Sequence, residues 1–149
     1  MIPARVLAAA AADHALRRAA AAAWPREVAA VLGGRHAGDT VHVATCLPCP
    51  DAGAGDHFAV APTWFLAAEA ALRDRGLACV GFAHSHPRAS AAPSLRDRAE
   101  LWPDCVQLIL GAAAPDAWTV GAFWRDRESV RPLPYAIVPY AIAAGEVPA

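Results

Sequence analysis

Lysine is absent from this 149-residue chain, and all 13 basic residues are arginine. We read this as base-composition bias in the source genome rather than as chemistry. One consequence is that the protein offers no lysine side chain of its own for isopeptide modification. A basic surplus is also missing, because the formal net charge is -1, and nucleic acid is therefore not an expected partner. The arginines alternate with acids, as in Arg73-Asp74-Arg75 and Arg125-Asp126-Arg127, in the manner of solvated helix faces and turns. Long apolar runs are lacking too. The stretch from Val6 to Ala12 is soon interrupted by Asp13, His14, Arg17 and Arg18, so no membrane span or membrane partner is expected. That stretch also lacks the charged start of a signal peptide. Cysteine is scarce: Cys46, Cys49, Cys79 and Cys105 form no spaced framework, and a reduced, cytoplasmic setting is expected. Cys46-Leu47-Pro48-Cys49 has zinc or redox spacing, but no second pair accompanies it and no helix follows directly, so it receives no role. There is no internal repeat.

Alanine supplies much of the 56% hydrophobic content, a bias that favours helices and gives little core volume per residue. The length fits one domain, which we place at residues 1–142, followed by a loose tail over 143–149. Val6 to Trp24 reads as an Ala-rich helix stopped by Pro25. Glu27 to Leu32 is a short apolar run closed by Gly33-Gly34 and is predicted as a buried strand. Asp39 to Thr45 alternates polar and apolar residues as its hairpin partner. Leu47 to Asp56 is full of breakers and reads as a mobile loop. A short strand over Phe58 to Ala61 leads into a helix that opens at Pro62 and ends at Gly76. Leu77 to Ala83 is an apolar strand, His84 to Pro93 is irregular, and Ser94 to Leu101 is a short helix. Cys105 to Leu110 and Trp118 to Trp124 are strands. Val130 to Ile137 adds an edge strand, since Pro132 and Pro134 cannot sit in a sheet centre. The order predicts an α/β fold with a mixed β-sheet flanked by helices.

The chemistry concentrates in His84-Ser85-His86-Pro87 and Ser94-Leu95-Arg96-Asp97. Side chains two apart on a strand share a side, so His84 and His86 can converge on one metal ion. Asp97 returns from the first turn of the next helix, with Pro87 and Pro93 stiffening the connection. Two histidines and a carboxylate leave a fourth tetrahedral corner for water, which is the catalytic arrangement for zinc. The plain alternatives are a Ser94-x-x-Asp97 capping box and a merely polar strand end. At ~5% usage per residue type, a chain this long would carry the four spaced residues by chance on the order of once in a thousand. Capping and ligation are also compatible with each other.

This constellation resembles the JAMM, or MPN+, metalloproteases. These carry an upstream glutamate and a His-x-His-Pro motif, then seven residues to a serine and an aspartate three beyond it. His84, His86, Pro87, Ser94 and Asp97 fall on that pattern. The resemblance implies an MPN architecture of the cytidine-deaminase-like kind, with Zn2+ held by His84, His86 and Asp97. It matches Glu27 to the glutamate that serves as general base and then general acid, and Ser94 to the serine that donates to the developing oxyanion. Nothing in spacing alone selects Glu27 over Asp13, Asp39 or Glu69. Ala30 departs from the glycine of many relatives, a packing difference outside the chemistry. Ser85, between the ligands, faces the other side of the strand and reads as structural. His57 could line the site, and Trp64 and Trp102 could flank it.

The resemblance to small stand-alone bacterial forms implies a zinc metallopeptidase or isopeptidase. It would cut after the Gly-Gly tail of a ubiquitin-like or sulfur-carrier protein. A non-catalytic MPN scaffold is the alternative. An iron(II) facial triad uses the same ligand types, but it would leave Ser94 and Glu27 without purpose.

Overall fold

The computed structural model describes residues 2–50 and 60–144. Its elements in chain order are β1 (Arg5–Ala9), α1 (Ala10–Ala23), β2 (Ala29–Ala37), β3 (Thr40–Cys49) and α2 (Pro62–Asp74). They continue with β4 (Ala78–Pro87), α3 (Leu95–Glu100), β5 (Val106–Ala112), β6 (Trp118–Arg125), β7 (Val130–Leu133) and β8 (Tyr135–Val138). The strands make one mixed sheet in the order β7-β6-β5-β4-β2-β3-β1-β8. β1 runs parallel to β3 and to β8, and β4 runs parallel to β5. The other neighbours are antiparallel. This is the α/β mixed sheet that the sequence predicts. No helix of the described residues is long and apolar enough to cross a membrane.

β7 and β8 stand at opposite ends of the sheet, yet only Pro134 separates them in the chain. The sheet must therefore curl until its two borders approach. The Pro134 carbonyl accepts a hydrogen bond from Val6 N at 2.9 Å on the β1 side of that seam. The single edge strand expected over Val130 to Ile137 is thus two strands, one for each border.

α1 covers one face of the sheet. Leu16 and Ala20 pack there against Val6, Val41, Val43, Leu108 and Leu110 in the main core. A buried polar cluster ties this layer together. Asp13 accepts from the Arg17 guanidinium at 2.8 Å and from the Tyr135 hydroxyl at 2.6 Å. Arg17 in turn donates to the Trp118 carbonyl. α2 covers the other face, starting with Pro62 at its first turn, where a missing N–H costs nothing. Leu72 is fully buried against Val31 and Leu77, and its methyl group fills the space that a Cβ on Gly33 would need.

Several boundaries differ from those expected. Arg5–Ala9 is a strand rather than the start of the helix. Val6 and Ala8 are buried between β3 and β8, and sheet pairing overrides the helical preference of an alanine-rich segment. Gly33-Gly34 does not end β2. It marks a register shift where β2 passes very close to His42 of β3, and only glycine at position 34 leaves room. β3 runs on through Leu47–Cys49, which was expected to be loop. Pro48 is tolerated there because, among the described residues, no strand pairs with its far side, β1 meeting β3 only over Thr40 to Val43. The expected strand at Phe58 to Ala61 lies partly outside the described residues, and Ala61 is the N-cap of α2. Of the rest of the expected loop, Pro50 is an exposed turn residue and 51–56 lie outside them, as does His57. The tail from residue 145 is outside as well, while Ala143 accepts a hydrogen bond from Arg35 at 3.2 Å.

Candidate metal centre

β4 continues through Pro87, so His84 to Pro87 is strand rather than irregular chain. Val80 is bulged out where β4 passes β2, as the pairs Leu32–Gly81 and Gly33–Cys79 leave it unmatched. Beyond the bulge the two-residue period sends Phe82, His84 and His86 to the α2 side. Asp97 arrives from the first turn of α3. Ser94 caps that helix: its Oγ accepts from Asp97 N at 3.1 Å, and its own N donates to Asp97 Oδ2 at 2.9 Å. Gln107 of β5 donates to the Trp102 carbonyl at 3.0 Å, and Arg125 of β6 donates to the Leu101 carbonyl. The far end of α3 is thereby fixed to the sheet.

The three side chains meet. His84 Nε2 lies 3.0 Å from Asp97 Oδ1, and His86 Nε2 lies 3.0 Å from Asp97 Oδ2. The two Nε2 atoms are 3.1 Å apart. Side chains of His84 and Asp97 are almost wholly buried, while that of His86 keeps 11% exposure, which opens the cluster to solvent on one side. Donor atoms around a tetrahedral zinc, with bonds of about 2.0–2.1 Å, stand ~3.3 Å apart, so the observed spacing fits one cation in their midst. His84, His86 and Asp97 could hold a metal ion.

The surroundings prepare the donors. His86 Nδ1 lies 3.0 Å from the Ser90 carbonyl oxygen. A carbonyl can only accept, so Nδ1 carries a proton, and with an ion bound the neutral ring would present its Nε2 lone pair to it. Burial alone would raise the Asp97 pKa. Hydrogen bonds from His84 and His86, the charge of His84 and the Ser94 N–H outweigh it, and the carboxyl is held well below its ordinary range. Burial opposes charge on His86, but Asp97, the Ser90 carbonyl and the Glu27 charge together raise its pKa. An anionic carboxylate between two inward nitrogens is a ready donor set for a divalent ion.

Glu27 lies just outside β2, half-buried. β2 and β4 pair at Ala29–His84, and Ser85 N donates to the Val28 carbonyl at 3.0 Å one step further on. The same antiparallel register sets Glu27 opposite His86, close enough for its charge to act there. The rival Asp13 belongs instead to the Arg17–Tyr135 cluster on the α1 side. Trp64 packs in the α2 core. Trp102 stands beside Phe82 on a groove of about 520 Å³ that Phe65, Glu69 and Cys105 also line. Cys46 and Cys49 pack into separate clusters on opposite faces of β3, so they cannot act as a ligand pair.

Two supports were not foreseen in the sequence. One is the Ser90 carbonyl, which carries no residue-type signal. The other is Gly111, paired with His86 across β4 and β5. A glycine inside an apolar strand can mark close backbone approach, and here the chain at Ser90 and Ala91 crosses directly over it.

A curled mixed sheet with this cluster at the end of β4 defines a domain of the JAB class. The chain belongs to the prokaryotic homologs of the JAB domain, whose family profile matches residues 9–127. That family includes hydrolases, and it supports a peptidase or a scaffold role. Among solved structures, the chain is similar to the solution structure of protein DSY2949 from Desulfitobacterium hafniense. The two share 26% identity with a TM-score of 0.81, over 91% of this chain and 94% of that one. A protein from Salinibacter ruber (strain DSM 13855) has a similar fold at 21% identity and TM-score 0.64, over 90% of this chain and 95% of that one. No curated protein matches.

Proposed function

We propose that this chain is a zinc-dependent metallopeptidase or isopeptidase that cuts after the Gly-Gly tail of a ubiquitin-like or sulfur-carrier protein in the cytoplasm. The convergence of His84, His86 and Asp97 at 3.0–3.1 Å carries the proposal. Nitrogen and carboxylate donors with one side open to solvent match catalytic zinc, which when bound polarises a carbonyl and makes water acidic near neutral pH. Glu27, opposite His86 in register, takes the proton of the attacking water and passes it to the leaving amine. Ser94 uses its hydroxyl oxygen as the α3 cap, which leaves the hydroxyl proton available to a developing oxyanion. The groove beside Phe82 and Trp102 offers an apolar seat on the same face of β4. Glycines in the substrate tail would let its backbone approach closely.

The scaffold alternative needs no metal, and an intact donor set favours the enzyme over it. The test is to purify the chain with zinc, measure bound metal, and offer carrier fusions bearing a residue after Gly-Gly. Zinc binding and cleavage that both disappear in His84→Ala, with cleavage alone lost in Glu27→Ala, are expected. Cleavage unchanged in either variant overturns the assignment. Failure to bind zinc at micromolar supply favours the scaffold.

A further inference from the structure

We propose that Ser85 is a positioning residue for Glu27, its hydroxyl acting as a backbone surrogate that holds the Glu27 segment against the metal centre. The inference rests on the peptidase reading above. The regular β2–β4 ladder stops at the pair Ala29–His84. One residue further, Ser85 N still donates to the Val28 carbonyl at 3.0 Å. The return bond is different, because Val28 N donates to the Ser85 side-chain Oγ at 2.8 Å. Ser85 has no exposed surface, so water does not compete for that hydroxyl. Its side chain therefore extends the ladder by one residue and fixes Val28, the immediate neighbour of Glu27.

The same segment is pinned at its other end. The Arg88 guanidinium lies 5.7 Å from the centre of the Trp24 ring, and Arg88 holds a left-handed backbone with φ of 63°. The stretch from Trp24 to Val28 is thus joined to β4 on both sides of Glu27, through Ser85 between the two histidines and through Arg88 just after Pro87. A general base misplaced by about 1 Å costs on the order of 100-fold in rate, so a single hydrogen bond at this joint has leverage on turnover.

The experiment uses the zinc-loaded full chain, three variants at Ser85 and a Glu27→Gln background. Ser85→Ala removes the hydroxyl. Ser85→Thr and Ser85→Val form an isosteric pair that differ only in having or lacking it, which guards against a simple volume effect. Removing the hydroxyl is expected to lower kcat ~10- to 100-fold with KM and zinc content unchanged, and Ser85→Thr to retain activity that Ser85→Val loses. Amide exchange at Val28 should accelerate in the variants without the hydroxyl and stay slow in Ser85→Thr. In a Glu27→Gln background, Ser85→Ala should cause no further loss, since Ser85 acts through Glu27. Full additivity there, loss of zinc in Ser85→Ala, or unchanged exchange at Val28 overturns the proposal. A wild-type chain that hydrolyses none of the carrier fusions removes the peptidase reading alone; the Val28 exchange then still decides whether Ser85 holds the Glu27 segment.

Discussion

The backbone of Ser90 lies so close over Gly111 that a Cβ on the glycine would stand 2.3 Å from the Ser90 carbonyl carbon. The same Ser90 carbonyl orients His86 through Nδ1. Because the obstacle is main chain, it cannot swing aside as a long side chain would. Gly111→Ala should therefore push the Ser90 strap away from His86 and weaken zinc binding by roughly 10- to 100-fold, with the fold retained. Competition with a fluorescent chelator measures the change, and unaltered affinity would show that the strap does not orient His86.

Asp97→Asn separates ligation from capping. Asparagine can still accept the Ser94 N–H, so α3 should persist, but the anionic donor between the two histidines is gone. Bound zinc should fall below detection after dialysis while the circular dichroism spectrum stays as in the parent. Stoichiometric zinc in this variant would remove Asp97 from the donor set.

The buried Asp13 cluster should matter for stability and not for metal. Tyr135→Phe deletes the 2.6 Å bond to Asp13 and leaves Arg17 as its remaining partner in that cluster. A loss of about 1.5–3 kcal/mol is expected in urea unfolding, the range for a hydrogen bond to a charged group. Zinc content should not change, because the cluster belongs to the α1 layer.

Alkaline pH should loosen the same layer through Cys46. Burial pushes its thiol from an ordinary value of 9.0 up to about 11. A raised pKa for an acid means that the folded state prefers the protonated form. Its contribution is fully present below pH 9 and is lost as pH rises through about 11. Melting temperature should therefore fall less between pH 9 and 11 in Cys46→Ala than in the parent, from a lower starting point. Parallel curves would show that Cys46 does not titrate in the folded core.

The meeting of His84, His86 and Asp97 was readable in sequence because three facts coincide: a two-residue strand period, a capping serine and a proline-stiffened return. Glu27 was singled out only by family resemblance. Its place opposite His86 depends on the antiparallel pairing of β2 with β4, a contact across 57 residues between Val28 and Ser85 that local pattern does not encode. The helix α2 followed from Pro62 and Gly76, and both ends came out within two residues. β1 did not follow, since Arg-Val-Leu-Ala-Ala has helical composition and becomes strand only because β3 and β8 flank it. The split of Val130–Val138 into two borders was equally hidden, being a property of sheet curvature rather than of any residue there.

That split makes the stretch around Pro134 a clasp. One short ribbon of chain supplies the outermost strand on both sides, so removing it would bare β6 and β1 together. Trimming the protein before residue 130 should not merely fray an end. It should leave two unsatisfied rows of amides and carbonyls at once, and insolubility would follow from intermolecular pairing along both.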